Sequence, residues 1–345
     1  MSNHPSLMFS ETGEAAAAVA RLFSREKQTL EEVGRLIAKG RPPFVTVSAR
    51  GSSGHAASYF KYLLEIEAGI PVAAIGPSVA SVYRARINLP GALHITISQS
   101  GASPDIVAMQ EAAKRGGAVT VAVVNVTDSP VARGADIVLP IHAGEERSVA
   151  ATKSFIASAA ALAAFAQAAT GSTSLAKGLK CLPEVLQEAC KADFEAVLPT
   201  LRKSGSLYMA GRGPGFAIAA EAALKAKETA RLHAEAFSLA ELMHGPMQLV
   251  SEGFSVLAFL PDDEALSSNR AALDLLEKTG AQLAIFSSTG PAERKATVMV
   301  PSTGYGKLDP LPALAAYYRM IERLAREGGL DPDRPDKLKK VTETV

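Results

Sequence analysis

The sequence predicts an α/β protein built as two tandem αβα three-layer sandwiches with mostly parallel sheets. Three observations carry that prediction. Short, buried-looking strands alternate with helical segments, the pattern of a parallel sheet covered on both faces. The order of elements occurs twice, with matching points 160 to 163 residues apart: Gly51 with Gly211, Val119 with Gln282, and Val138 with Val298. A chain of 345 residues also exceeds one ordinary core and suits two domains of about 150 residues each.

The first dozen residues read as frayed, and residues 14–38 as a helical packing arm. Residues 44–47 form a strand, followed by the turn-rich Gly51-Ser52-Ser53-Gly54 and a helix over 55–67. Strands at 92–97, 119–124 and 136–139 follow, with a helix at 106–115. The run 155–169 is mostly Ala, contains Ser158 and Gln167, and is short for a membrane span, so it is expected to be a packed helix. A helical stretch around 178–198 leads to the second series: a strand at 207–210, the Gly-rich turn Gly211 to Gly215, a long helix, and strands at 256–260, 282–286 and 297–300. The expected division is a first domain over 25–177 with its helical arm ahead of it, a second over 195–330, and a tail over 331–345.

Hydrophobic residues make up 48% and charged residues 21%, a globular composition. Lys plus Arg number 36 against 35 Asp plus Glu, which gives no long-range field for nucleic acid or an anionic membrane, so neither is an expected partner. Cys181 and Cys190 fit no disulfide or zinc pattern and are expected to be free thiols. With no apolar signal core at the start, the expected location is cytoplasmic. No motif for a metal, nicotinamide or flavin is present, and no cofactor is expected.

The exit of the strand at 92–97 is crowded with small donors: Ser98-Gln99-Ser100-Gly101-Ala102-Ser103-Pro104. Ligands of open α/β sheets favour the carboxyl ends of strands. Pro104 suits the first turn of the next helix, whose N–H groups, with the hydroxyls, can satisfy phosphate oxygens without a formal cation. Ser53 and its flanking glycines, at the neighbouring strand exit, complete the cradle. Ordinary helix capping by Ser103 is the competing reading, but it accounts for only one of these side chains. At the matching point the second half reads Pro261-Asp262-Asp263-Glu264, which would repel an anion. A single phosphate locus, in the first domain, is therefore expected.

In the second domain Glu221, Lys225 and Glu228 share a helix face by their spacing of four and three. A surface salt-bridge ladder is the competing reading; against it, the helix starts at the same rim. His244-Gly245-Pro246 ends what reads as a helical segment, and His233 reads as structural. Glutamate is a residue type suited to carrying a proton as a base, and histidine to giving or taking one. A nearby lysine depresses a carboxyl pKa, the wrong direction for a base, unless the substrate carbonyl becomes an iminium and its C–H more acidic. The tail "LDPDRPDKLKKVTETV" is fray by default, yet Leu338 and Val341 could pin it so that a lysine reaches a carbonyl.

Gly51-Ser52-Ser53, Ser98-Gln99-Ser100-Gly101 and Ala234-Glu235-Ala236 with Glu241-Leu242-Met243-His244-Gly245-Pro246 resemble the sugar isomerase (SIS) family. The resemblance is closest to the isomerase half of the glutamine–fructose-6-phosphate aminotransferases. It implies that Ser53, Ser98, Gln99, Ser100 and Ser103 hold a hexose 6-phosphate, with Gly51, Ser52 and the backbone at Val149 and Ala150 also in contact. It implies that Glu228 moves the proton between C1 and C2, with Lys225 assisting. It also implies that His244 opens the ring from the partner subunit, so a homodimer with shared active sites is expected. Lys340 would form a Schiff base with the open-chain ketose, or Lys339 if the register slips by one. Two positions depart from the aminotransferase pattern: Ala151 stands where a serine contacts the sugar, and Ala102 where a glutamate follows the Ser-Gln-Ser-Gly.

The chain opens Met1-Ser2-Asn3, with no N-terminal cysteine, and no domain to hydrolyse glutamine is expected with it. The expected reaction is therefore isomerising deamination of glucosamine 6-phosphate to fructose 6-phosphate and ammonia. The alternatives are a deaminase, deglycase or isomerase for another amino-sugar, fructosamine or hexose phosphate, and a non-catalytic sugar-phosphate sensor.

Overall fold

The structure, a computed structural model, describes residues 5–40, 42–289 and 296–340. Val341 lies outside the described residues. The chain divides into two compact units. One comprises Ala17–Glu146, Lys153–Leu179 and the chain from Lys339; the other comprises the chain up to Ala16, Arg147–Thr152 and Lys180–Leu338.

Three helices come first: α1 (Leu7–Gly13), α2 (Ala15–Arg25) and α3 (Lys27–Gly40). The expected fray is corrected. Within α1, Met8 is fully buried, and the Ser6 hydroxyl caps the helix by accepting from the Phe9 N–H. The arm also breaks at Glu26, whose carboxylate holds the Thr29 hydroxyl at 2.7 Å and the His142 ring at 2.6 Å.

The first αβ series runs β1 (Val45–Ser48), α4 (Gly51–Ala68), β2 (Val72–Ala74), α5 (Ser78–Ser81), β3 (Leu93–Ser98), α6 (Pro104–Arg115) and β4 (Val119–Val124). It closes with α7 (Pro130–Gly134), β5 (Ile137–Pro140) and α8 (Lys153–Thr170). The strands form a parallel sheet in the order β2-β1-β3-β4-β5. Every residue of β3 is buried, as a central strand covered on both faces requires. The Ala-rich α8 is buried from Lys153 to Ala166. Gly34 of α3 crosses it so closely that a Cβ would lie 2.6 Å from the Ala168 backbone. No helix of the described residues is long and apolar enough to cross a membrane.

Next come α9 (Thr173–Ala189) and α10 (Leu198–Arg202). The second series is β6 (Ser206–Gly211), α11 (Pro214–Ala230), β7 (His233–Ser238), α12 (Leu239–Leu242) and a 3-10 turn over Pro246–Leu249. It continues through β8 (Ser255–Leu260), α13 (Leu266–Lys278), β9 (Gln282–Ser287), β10 (Thr297–Met299) and α14 (Pro310–Glu327). Its sheet is also parallel, in the order β10-β9-β8-β6-β7. Matched strand for strand, the two sheets have the same order, so the repeat seen in the sequence is a repeat of topology.

The long helix expected to run on toward His244 is interrupted. Arg231 caps α11 in the left-handed region, with φ at 52°, and β7 follows as an edge strand. The far side of α11 packs on α14, where the Tyr317 hydroxyl donates to the Ala222 carbonyl at 2.9 Å. Phe259 and Phe286 stack at 5.6 Å and meet Tyr317 edge-on, which fixes α14 and, through it, the helix that carries Glu228.

Candidate active site

In the first sheet the strand order reverses between β1 and β3, the position where such sheets take ligands. Both exits there carry predicted residues. Gly51 opens α4 with φ at 51° and has open space around it, so conformation rather than crowding favours glycine. Ser52 and Ser53 lie half-buried in the first turn of α4. Ser98 ends β3, and its hydroxyl accepts from the Gly101 N–H at 3.1 Å. Gly101 has φ at 60°, and a Cβ would sit 2.1 Å from the Ser129 hydroxyl, so no other residue fits without displacing that loop.

Gln99, Ser100 and Ser103 are half-buried on the same exit. Ser103 occupies the N-cap position of α6, yet its side chain makes no capping hydrogen bond. The capping explanation for its hydroxyl thus fails. Arg50 donates twice to one oxygen of the fully buried Asp105, at 2.8 and 2.6 Å, and so ties the exit of β1 to the start of α6. Beneath the rim, His94 of β3 is fully buried between the Thr46 and Ser48 hydroxyls, at 2.9 and 3.0 Å. Burial lowers its pKa to about 4.

A cavity of about 430 Å3 opens beside Gln99, lined by Arg21, Arg25, Asn125, His142 and Glu146 among others. Glu146 is buried and accepts from the Ser154 N–H at 3.1 Å and the Ser154 hydroxyl at 2.6 Å. It also receives Lys340, whose Nζ lies 2.9 Å from its Oε2. The tail is therefore held by polar contacts. Leu338, expected to pin it, is 42% exposed.

In the second unit Glu221, Lys225 and Glu228 meet as their spacing requires, but not on the surface. The Glu221 and Lys225 side chains are 0% and 1% exposed, against 22% for Glu228. Lys225 Nζ lies 2.5 Å from Glu228 and 3.3 Å from Glu221, and the Tyr318 hydroxyl donates to Glu221 at 3.1 Å. Burial lowers the Lys225 pKa, but the two carboxylates outweigh it and the net direction is up. The cluster is a desolvated ammonium with one carboxylate facing solvent.

His244 is exposed on the turn before the 3-10 segment, where its N–H donates to the Glu241 carbonyl. Among the described residues no hydrogen bond or ion pair joins its ring to Glu228 or Lys225. His233 lies on edge strand β7 and bonds the Ser206 hydroxyl at 2.9 Å. Around Val149 the backbone donors are already used. The Val149 N–H donates to the Asp333 carbonyl at 3.1 Å, and those of Arg147 and Ser148 donate to Glu11 at 2.5 and 3.2 Å. Ala150 is fully buried. What Val149 can still offer a ligand is its carbonyl oxygen.

Sequence reasoning missed Glu146, Glu11 and Asp333. Their partners are remote in the chain, and no local spacing marks them. Among the described residues no three His, Cys, Asp or Glu side chains group as a metal ion would require.

The SIS domain model matches residues 44–168 and 200–318. A glutamine–fructose-6-phosphate aminotransferase (isomerizing) of Caulobacter vibrioides is 31% identical over 86% of this chain and 51% of its own length. The chain spans about half the length of the curated relatives it matches. Among solved structures, a candidate phosphosugar isomerase from Silicibacter pomeroyi is 42% identical, with a TM-score of 0.89 over 95% of this chain and 100% of that one. The C-terminal domain of a glucosamine–fructose-6-phosphate aminotransferase from Francisella tularensis is 25% identical, with a TM-score of 0.80 over 96% and 99% of the two chains. With two matched segments on two sheets of the same strand order, the chain belongs to the SIS domain family.

Proposed function

We propose that the protein is an isomerising deaminase that converts glucosamine 6-phosphate and water to fructose 6-phosphate and ammonia. The observation that carries this reading is the Glu221–Lys225–Glu228 cluster. A buried ammonium braced by one hidden carboxylate leaves a second, solvent-facing carboxylate as a fixed proton carrier. The hydroxyl-rich exits of β1 and β3 support the phosphate assignment to Ser53, Ser98, Gln99, Ser100 and Ser103.

In this reading His244, supplied by the partner copy of a homodimer, opens the ring by moving a proton between O5 and O1. Glu228 removes the C2 proton of the open-chain amino aldehyde, and Lys225 steadies the negative charge that develops on O1. Return of the proton at C1 leaves an imine at C2. The Lys340 amine, once it has given a proton to Glu146, attacks C2 and expels ammonia. Water then attacks the new C2 imine, releasing fructose 6-phosphate and the free lysine. Glu146 is suited to that exchange, because Ser154 holds its carboxylate in place.

The Silicibacter relative favours a second reading, plain aldose–ketose isomerisation of a sugar phosphate, which uses the same proton transfer without nitrogen chemistry. Ammonia separates the two. Purified protein given glucosamine 6-phosphate should release ammonia and fructose 6-phosphate in equal amounts; galactosamine 6-phosphate in the same assay reads the substrate preference. Interconversion of hexose phosphates with no ammonia from either amino sugar would replace the deaminase with the isomerase.

A further inference from the structure

Three remote stretches of chain are fastened together within the second unit. Asp333 is the node. Its two carboxylate oxygens accept from the N–H groups of Leu7 and Met8 at 2.7 and 2.8 Å, and its carbonyl accepts from the Val149 N–H at 3.1 Å. Glu11, 4% exposed on α1, takes the next two N–H groups of the same loop, those of Arg147 and Ser148. The Ser6 hydroxyl then anchors the start of α1 to Glu322 of α14 at 2.7 Å. Carboxylates at a helix N-terminus and on backbone N–H groups make charge-assisted bonds, stronger than neutral ones. Beyond the node, Asp336 pairs with Arg231, the cap of α11, three residues past Glu228.

We propose that Asp333 and Glu11 are positioning residues for the tail lysine and for the Val149 carbonyl. The proposal rests on the Schiff-base role given to Lys340 above. Lys340 lies seven positions beyond Asp333, a reach of up to about 25 Å for extended chain. An amine on an unanchored tail would spread over that range, and its effective concentration at one carbonyl would fall accordingly. Asp333 shortens the free length and fixes its origin. Glu11 holds the loop strand to which Asp333 is bonded, so tail and loop keep a common register.

The test uses three variants of the full chain: Asp333→Asn, Glu11→Gln and Leu7→Pro. The last deletes one of the two N–H donors to Asp333 at the first helical position, where proline is tolerated, and serves if the other two do not fold. Fructose 6-phosphate is trapped on the protein by cyanoborohydride reduction of its lysine imine. Equilibrium binding of fructose 6-phosphate and hydrogen exchange of the 147–149 amides are followed in parallel. The expected result is faster exchange at 147–149 and trapping slowed on the order of tenfold, with binding changed less than about twofold. Exchange that speeds up while trapping per folded molecule stays at the wild-type rate would reduce Asp333 and Glu11 to fasteners of α1 and sink the proposal. A wild type that is never trapped, or a Lys340→Ala variant trapped as fast, would instead sink the Schiff-base reading and this proposal with it.

Discussion

Lys225 is a charge that only its neighbours make tenable. At 1% exposure the ammonium would ordinarily shed its proton, and Glu221 and Glu228 reverse that. The folded pKa lies above the ordinary value of 10.5, so the stabilisation is fully present below about pH 10.5. It is lost as pH rises through the folded value. Lys225→Met should cost about 3–5 kcal/mol in denaturant unfolding, because it leaves the buried Glu221 carboxylate without its cation. Adding Glu221→Gln should recover a large part of that loss. Failure of the double variant to recover would mean that packing, not charge, holds Lys225. Glu228→Gln keeps Lys225 paired with Glu221 and should fold normally, while turnover of amino-sugar phosphate falls by about 10²- to 10⁴-fold.

At the scale of the element, β3 joins the hydroxyl-rich exit at Ser98 to a pH-sensitive core. His94 is neutral when folded, with its pKa at about 4 against 6.5 when unfolded. The unfolded chain therefore binds the extra proton first as pH falls. Its contribution to stability is complete above pH 6.5, falls by about 1.4 kcal/mol per pH unit below it, and levels off near pH 4, about 3 kcal/mol lower. Urea midpoints between pH 7 and pH 4 should show this slope, and His94→Gln should remove its share of it. An unchanged slope in that variant would assign the acid sensitivity elsewhere. Above the same strand, Gly101→Ala combines a left-handed backbone with a 2.1 Å approach to Ser129. It should cost more than about 1 kcal/mol and weaken hexose phosphate binding, read by titration with fructose 6-phosphate.

Across the whole molecule, the repeat was legible because four of five strands in each half are long enough, or apolar enough, to stand out. The two that escaped, β2 and β7, are edge strands. Val72-Ala73-Ala74 has three residues and two exposed alanines, too little pattern to mark a strand. His233 to Ser238 was hidden in an Ala- and Glu-rich run because the helix stops at Arg231, which adopts a left-handed cap without the glycine that usually announces one. The candidate site divides the same way. Spacing on one helix face was enough to group Glu221, Lys225 and Glu228, and the cluster of small donors was enough to mark the exit of β3. Glu146, Glu11 and Asp333 gain their roles from partners far along the chain, and local pattern carries no trace of such pairs.

The most direct measurement of the central claim is proton transfer at carbon, followed by NMR with fructose 6-phosphate in deuterated water. The wild type should exchange a C1 proton for deuterium or form the aldose, Glu228→Gln should suppress both, and unphosphorylated fructose should give neither. A wild type inert toward C1, or a Glu228→Gln variant as active as the wild type, would contradict that claim.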